Sequence, residues 1–336
     1  MSISKKAIIS GIILAILALG AVGAVTAYAF LSSITRDANN TVIYIDYDDT
    51  PDSVFQKAEL GWRGNFINMV LPYKKVRTGR YEVGQNIPIL TLYRKLRNGQ
   101  QDPILLTIPN SRTMEKLAGA LSKKLMLDSL TLVTALTDET ICQQAGYNTA
   151  TLPALFIPNT YEVYWDITLE GLIHRMQKEN KAFWNAEREQ KAKALNLSHE
   201  EICTLASIVD EETANNAEKP AIAGLYLNRL NKGMLLQADP TVKFAVGDFS
   251  LRRITGEHLK KESPYNTYLN LGLPPGPIRI ASIAGLDAVL NHQQHNYLYM
   301  CAKADFSGTH AFAVTFNEHK KNARNYIRAL NERNIH

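Results

Sequence analysis

One uninterrupted apolar run and two hydrophobic periods order this chain. Residues Ala7 to Phe30 are apolar or small throughout and carry no charge, which is long enough to cross a bilayer as one helix. Residues 31–40 then turn polar and read as a linker. From Thr41 to Tyr47 β-branched and aromatic residues alternate with polar ones, predicting a strand. A short helix is expected from about Asp52 and a strand over Gly79 to Val83. A further helix is expected from Ile87 to Leu96, stopped by Asn98-Gly99, then a strand over Ile104 to Ile108 closed by Pro109. Such alternation predicts a small α/β module at 41–110. It holds no cluster of ionisable groups, so binding or positioning suits it better than catalysis.

Helical periodicity takes over beyond it, from Ser111 to Leu127 and again around Leu130 to Thr137. The loop Leu155 to Tyr161, aromatic and fixed by Pro158, reads either as a cleft wall or as a buried connection packing Phe156 and Tyr161. A long amphipathic segment, Leu169 to about Leu195, turns Leu169, Leu172, Ile173, Met176 and Phe183 toward a core. Asn215 and Asn216 are expected to begin another helix, with Pro220 in its first turn and a stop at Gly233.

Between these lies the stretch with the fullest signals, Ser198 to Thr213. Ser198 can cap the first turn, Glu201 can reach back to complete a capping box, and Leu197 can staple onto Ile202. Leu205, Ile208 and Val209 share one face, and Glu212 extends it, seven, four and three residues beyond them. Glu211 follows Thr204 and Ser207 onto the wetter side, and Asp210 sits on the flank. A carboxyl held against apolar surface loses solvation of its charged form, so its pKa rises toward the range a proton donor needs. The plain alternative is an acidic helix end. Acidic residues favour the opposite end of a helix, so capping does not explain Asp210-Glu211-Glu212.

Composition adds location and exclusions. Lys5 and Lys6 precede the apolar run, which places 1–6 in the cytoplasm and everything after Phe30 outside. The run is an anchor or a signal; its length and the weak cleavage site at Ala21, Gly23 and Ala24 favour a retained anchor. With 46% hydrophobic and 21% charged residues the exported part can fold, and its length suggests two domains. Cys142, Cys203 and Cys301 make no disulfide scaffold and no CxxC site, and Cys203 reads as a small buried thiol. The net charge of +5 is spread out and forms no basic aromatic stripe for nucleic acid, while an acidic polymer outside the membrane remains compatible with it.

Three later stretches are dense in loop chemistry: Leu236 to Val242, Pro264 to Tyr268 and Gly272 to Ile278. Aromatic rings and amides on rigid turns suit a sugar groove. Together with Ala206 to Thr213, the Asn228-Arg229-Leu230 helix end and Gly308-Thr309-His310-Ala311-Phe312, these stretches resemble, in order and spacing, the MltG (YceG-like) family of endolytic murein transglycosylases. The resemblance covers nearly the whole exported chain.

It implies an α+β fold with a single N-terminal transmembrane helix at 7–30. A LysM-like subdomain at 41–110 and a lysozyme-like, mainly helical catalytic domain at 111–336 with added loops and strands would follow. It places the catalytic glutamate on Glu212, in a Glu-Thr pair like the Glu-Ser pair of other lytic transglycosylases. Gln237, Asp239, Tyr265, Asn266 and Tyr268 become candidates for sugar contacts or for orienting Glu212, while Pro274, Pro275 and Gly276 shape their loop. The family usually has glutamate and lysine where this chain has Asp210 and Glu211, and this extra negative charge is expected to raise Glu212 further. Ala313 replaces a small polar residue near His310.

The implied reaction cleaves the MurNAc–GlcNAc bond of peptidoglycan without water. Glu212 donates a proton to the glycosidic oxygen and then takes one from the muramic C6 hydroxyl, giving a 1,6-anhydro end. Because that nucleophile is tethered, one carboxylate can serve where ordinary glycosidases need two. No cofactor and no metal are implied. Glycan strands are the expected partner, with peptidoglycan synthases or division and elongation proteins nearby at the inner membrane and the catalytic part periplasmic or otherwise extracytoplasmic. Cuts within strands, near the membrane, would terminate nascent glycan.

Other readings remain. A water-using muramidase would need a second carboxylate, for which Asp239 is the candidate, although Asp before Pro is a common turn residue. A metal hydrolase would draw on His292, His295, His310, Glu318 and His319, the first two sharing a helix face. A non-catalytic wall-binding or assembly protein would leave Glu212 without a role.

Overall fold

The computed structural model describes residues 4–37, 41–251 and 254–333. The chain is of mixed helix and sheet and forms two compact units, Met1–Leu105 with Lys124–Met126 and Glu162–Ile167, and the remainder.

The first unit runs α1 (Lys5–Leu31), β1 (Ser33–Thr35), β2 (Val42–Ile45), α2 (Pro51–Lys57), α3 (Gly61–Val70), β3 (Gly79–Glu82), β4 (Asn86–Pro88) and α4 (Ile89–Asn98) into β5 (Ile104–Thr107). The long apolar helix α1 leaves its side chains exposed until its last turn, where Ala29 is buried and Tyr28 stacks on Trp62 of α3. Part of the stretch read as a polar linker is strand β1, paired antiparallel with β4 so that Ile34 faces Ile87; residues 38–40 lie outside the described residues. β2 pairs antiparallel with β3, setting Ile43 opposite Tyr81. Thr50 and Ser53 cap α2 reciprocally, and Gly99 ends α4 in the left-handed conformation that a side chain resists. Alternation on the strands and helical spacing on α4 send Ile43, Ile45, Tyr81, Leu92, Tyr93 and Leu96 into one core. Helix α3 escapes a sequence reading because it begins without a side-chain cap, on Leu60.

The second unit continues with α5 (Met114–Leu121), α6 (Ser129–Thr137), α7 (Glu139–Gln144), a 3-10 turn at Leu152–Leu155, β6 (Thr160–Val163, the partner of β5), α8 (Leu169–Phe183), α9 (Ala186–Leu195), α10 (His199–Glu212) and α11 (Lys219–Asn231). It closes with α12 (Asp239–Val246), α13 (Gly256–Leu259), α14 (Ile283–Leu290), β7 (Tyr299–Ala302), β8 (His310–Ala313) and α15 (Phe316–Glu332). Strands β7 and β8 pair antiparallel, with Ala302 opposite His310.

Two expectations are corrected here, and a third, left open between two readings, is decided. The amphipathic segment from Leu169 is two helices, parted where Asn185 caps α9. Asn215 and Asn216 do not begin α11: Asn215 Oδ1 accepts from Ala217 N in a tight turn, and the helix starts at Lys219. The Leu155 to Tyr161 loop is a buried connection, with Phe156 and Tyr161 inside and the Tyr161 hydroxyl on the Ile157 carbonyl.

Helix α10 is the spine of this unit. Its capping box forms as expected, with Ser198 and Glu201 satisfying each other's backbone donors. The helix is buried on nearly every side from Ile202 to Val209, so Thr204 and Ser207 do not face water. Ser207 Oγ instead accepts from Ile278 N and donates to the Thr204 carbonyl, which satisfies the hydroxyl inside the core. Ile202, Leu205, Ile208 and Val209 are fully covered by α11, α14 and the segments between, each burial contributing about 2 kcal/mol. A helix so enclosed delivers its last residue, Glu212, to a fixed place.

Candidate active site

Glu212 ends α10 and opens onto a cavity of about 210 Å³. Six elements supply the wall: Glu212 from α10; Leu225, Tyr226 and Arg229 from α11; Leu236, Gln237 and Asp239 at the start of α12; Tyr268 from the following loop; Met300, Cys301 and Ala302 from β7; His310 from β8. The Tyr226 hydroxyl donates to Glu212 Oε1 at 2.6 Å. Burial pushes the Glu212 carboxyl up to about 7, and the Asp239 charge adds to the rise. The Tyr226 hydrogen bond, His310 and Lys243 pull it partly back. The result is a carboxylic acid that holds its proton near neutrality and can release it there, which is what a general acid requires.

The neighbouring acids do not act on Glu212 as the sequence suggested. Glu211 is gripped by Arg112 and Arg279 at 2.8 Å each, and despite its burial these partners hold it below the ordinary carboxylate range. Asp210 accepts from the backbone N and hydroxyl of Ser282, the cap of α14, and pairs with Lys219 at 2.7 Å. Gly285 leaves room for that carboxylate; a Cβ there would lie 2.6 Å from it. Both charges are neutralised locally, so the carboxylate that opposes ionisation of Glu212 is Asp239 across the cavity.

Of the candidates named from sequence, the structure brings Gln237, Asp239 and Tyr268 to the Glu212 cavity. Tyr268 donates its hydroxyl to Asp239 Oδ1 at 2.6 Å. Gln237 sits in left-handed backbone at φ 50°, an uncommon position for a side-chain-bearing residue. It is held there by its N–H on the Thr267 carbonyl and by Arg229, whose guanidinium also grips the carbonyls of Leu235, Leu236 and Leu298.

Tyr265 and Asn266 do not line the cavity. Asn266 is fully buried, donating to the carbonyls of Leu259 and Lys261 and accepting from Tyr268 N, so it shapes the loop that presents Tyr268. Tyr265 packs its ring 4.6 Å from Phe244.

Sequence reasoning missed Tyr226 and Glu218. Tyr226 reads as one more apolar position of α11, and only the fold shows its hydroxyl on Glu212. Glu218 stands just ahead of α11 and makes no side-chain cap to it, and nothing local hints at its side chain's target, His310. His292 and His295 lie after α14 rather than on a shared helix face; His292 meets Gln294 and His295 bonds around Asn228 and Ala221. Among the described residues no group of three His, Cys, Asp or Glu side chains is placed to hold a metal ion.

With this geometry in place, comparison with known proteins is informative. The profile of the YceG-like family matches residues 51–325. The chain belongs to the YceG-like family. It is 30% identical over 273 residues to the protein named endolytic murein transglycosylase in Bacillus subtilis (strain 168), across 76% of this chain and 75% of that one. The identically named protein of Streptococcus pneumoniae serotype 2 is 26% identical over 312 residues, and there the chain spans 56% of the relative's length. The solved yceG-like protein lmo1499 from Listeria monocytogenes superposes with a TM-score of 0.56 at 24% identity, over 87% of this chain and 99% of that one, a likeness in fold. The family match takes in every wall of the Glu212 cavity.

Proposed function

We propose that this YceG-like protein is a peptidoglycan lytic transglycosylase with Glu212 as its catalytic acid. The observation that carries the reading is the Glu212 carboxyl, held protonated to about pH 7 at the wall of a polar cavity in a chain whose relatives are named endolytic murein transglycosylases. Glu212 protonates the glycosidic oxygen between MurNAc and GlcNAc. The muramic C6 hydroxyl closes onto the anomeric carbon, leaving a 1,6-anhydro end. Gln237, Asp239 and Tyr268 contact or orient the sugar. Cuts fall within strands near the membrane and terminate nascent glycan, with peptidoglycan synthases or division and elongation proteins close by.

The apolar helix α1 is a candidate anchor or signal by length and composition. We read it as a retained single span at 7–30 with a cytoplasmic N-terminus and the remainder extracytoplasmic. We further propose that 41–110 is a LysM-like positioning module and 111–336 a lysozyme-like catalytic domain; a compact unit whose main segment is Met1–Leu105, joined by Lys124–Met126 and Glu162–Ile167, supports a boundary in this region.

The test is mass spectrometry of purified peptidoglycan digested with the full-length protein in detergent, beside Glu212→Gln. Anhydro-muramic ends from the wild type alone are the expected result. One second reading has an observation in its favour: Asp239 shares the cavity with Glu212, as the two carboxylates of a water-using muramidase would. Reducing ends in the digest would establish it. Glycan that binds and stays uncut would leave a wall-binding protein.

A further inference from the structure

The cavity contains a second proton-handling pair that a one-carboxylate reaction leaves idle. Glu218, 8% exposed, turns both carboxylate oxygens to His310: Oε1 accepts its backbone N–H at 2.6 Å, and Oε2 lies 3.0 Å from its Nδ1. The Thr213 hydroxyl, next in the chain to Glu212, bonds to the same carboxylate. Despite burial these partners hold Glu218 below the ordinary carboxylate range, so it is an anion and can only accept. An accepting carboxylate at Nδ1 places the imidazole proton there and leaves Nε2 as a lone pair. Nε2 has no hydrogen-bond partner among the described residues, on a side chain that lines the Glu212 cavity.

A buried carboxylate that fixes the tautomer and orientation of one imidazole repeats the arrangement that positions the base of a catalytic triad. Glu212 also has a single free oxygen, because Oε1 is taken by the Tyr226 hydroxyl. If Glu212 worked alone, that oxygen would have to release a proton toward the leaving group and recover one from a hydroxyl elsewhere on the same ring.

We propose that His310, positioned by Glu218, is the base that takes the proton from the attacking C6 hydroxyl while Glu212 protonates the leaving oxygen. The inference rests on the transglycosylase reading above. In the step, the C6 oxygen bonds to C1 as its proton passes to His310 Nε2. The C1–O bond breaks with its electron pair on the leaving oxygen, which receives the Glu212 proton. An imidazolium and a carboxylate remain, and proton transfer between them through cavity water restores both without any other reactant.

Several charged and titratable groups share the cavity with His310. Glu218, just ahead of α11, bonds to it, while Tyr226 and Arg229 of α11, Glu212 of α10, Asp239 of α12, Tyr268 of the loop after α13 and Cys301 of β7 line the same cavity. On α15, which packs on the hairpin, His319 stacks on Tyr299 instead.

The experiment follows the initial rate of anhydro-end formation against pH for the full-length wild type, His310→Gln and Glu218→Gln. His310→Gln is expected to lose about 10²-fold or more in rate and to lose the acid limb of the profile, since no imidazole remains to be protonated. Glu218→Gln is expected to keep an acid limb but shift it to lower pH, because the imidazolium loses its anion. That second variant decides the matter if His310→Gln does not fold. Overturning results are a His310→Gln rate within a few-fold of wild type, a uniform loss with the wild-type profile unchanged, or a Glu218→Gln limb that stays in place. Reducing ends from the wild type would instead overturn the transglycosylase reading, and this inference with it.

Discussion

The Tyr226 hydroxyl and Glu212 Oε1, 2.6 Å apart, join the centre of α11 to the last residue of α10. Both groups are pressed by the same burial in opposite functional directions: Glu212 is raised toward neutrality, while the Tyr226 phenol, already a weak acid, is driven well above its ordinary value and never ionises. Tyr226 is therefore a permanent donor. It stabilises the ionised form of Glu212 and fixes the plane of its carboxyl.

Replacing Tyr226 by Phe keeps the ring volume and removes only that donor. The Glu212 carboxyl then rises further, so the alkaline limb of the rate profile moves to higher pH. The maximal rate falls about tenfold to a hundredfold as the carboxyl loses its orientation. Rate profiles of the two proteins on the same peptidoglycan check both effects, and an unmoved alkaline limb would show that the hydroxyl does not act on Glu212.

Asp239→Asn is expected to do the opposite. The substitution removes the negative charge that helps hold the Glu212 proton while leaving an amide oxygen for the Tyr268 hydroxyl. Glu212 then ionises at lower pH, and the alkaline limb moves toward acid. A variant with a wild-type limb but a raised KM would assign Asp239 to sugar contact alone.

Glu212 also carries a cost that thermal melting can read. Its folded pKa of about 7 exceeds the ordinary 4.5, so its contribution to stability is greatest below the unfolded value and declines as pH rises through 7. Above that range the buried carboxylate lowers stability by up to about 3 kcal/mol. Glu212→Gln is thus expected to melt higher than wild type in mildly alkaline buffer, with the difference closing as the pH falls toward 4.5. Equal melting at every pH would contradict a raised carboxyl.

For Asn266 the expectation is structural. Asn266→Ala leaves the carbonyls of Leu259 and Lys261 and the N–H of Tyr268 without their partner in a buried place, a loss of about 2–3 kcal/mol. Melting temperature should drop while the alkaline limb of the rate profile stays where it is. A full loss of substrate binding at unchanged stability would restore Asn266 to the sugar-contact role suggested by its motif.

What the chain discloses before folding follows from where the information sits. Ser198, Glu201 and the spacing of Leu205, Ile208 and Val209 are local, so α10 and the placement of Glu212 at its end can be read directly. Gln237, Asp239 and Tyr268 stand out as polar and aromatic residues of rigid loops, but so do Tyr265 and Asn266, which do not line the cavity. The partners cannot be read this way. Thr204 and Ser207 look like a wet face because nothing local reveals that Ile278 will bond to Ser207. Asp210 and Glu211 look like free charge because Ser282, Arg112 and Arg279 lie roughly seventy to a hundred residues away in sequence. Glu218 is missed for the same reason, its partner lying 92 residues on, and Tyr226 because only the packing of α11 on α10 reveals a contact 14 residues back.

The paired acids of α10 bear finally on motion. The last turn of a helix ordinarily frays, opening and closing at little energetic cost, because its final carbonyls have no partners. In α10 that turn is pinned from two sides. Asp210 is fastened to the start of α14 and to Lys219, and Glu211 is clamped between Arg112 and Arg279. Fraying would have to break both attachments together, so amide hydrogens from Val209 to Glu212 should exchange about as slowly as those in the middle of the helix. Glu212 is then a terminal residue with an interior residue's rigidity. Under the proposed reading its carboxyl meets substrate in one position, and little of the binding energy is needed to still it.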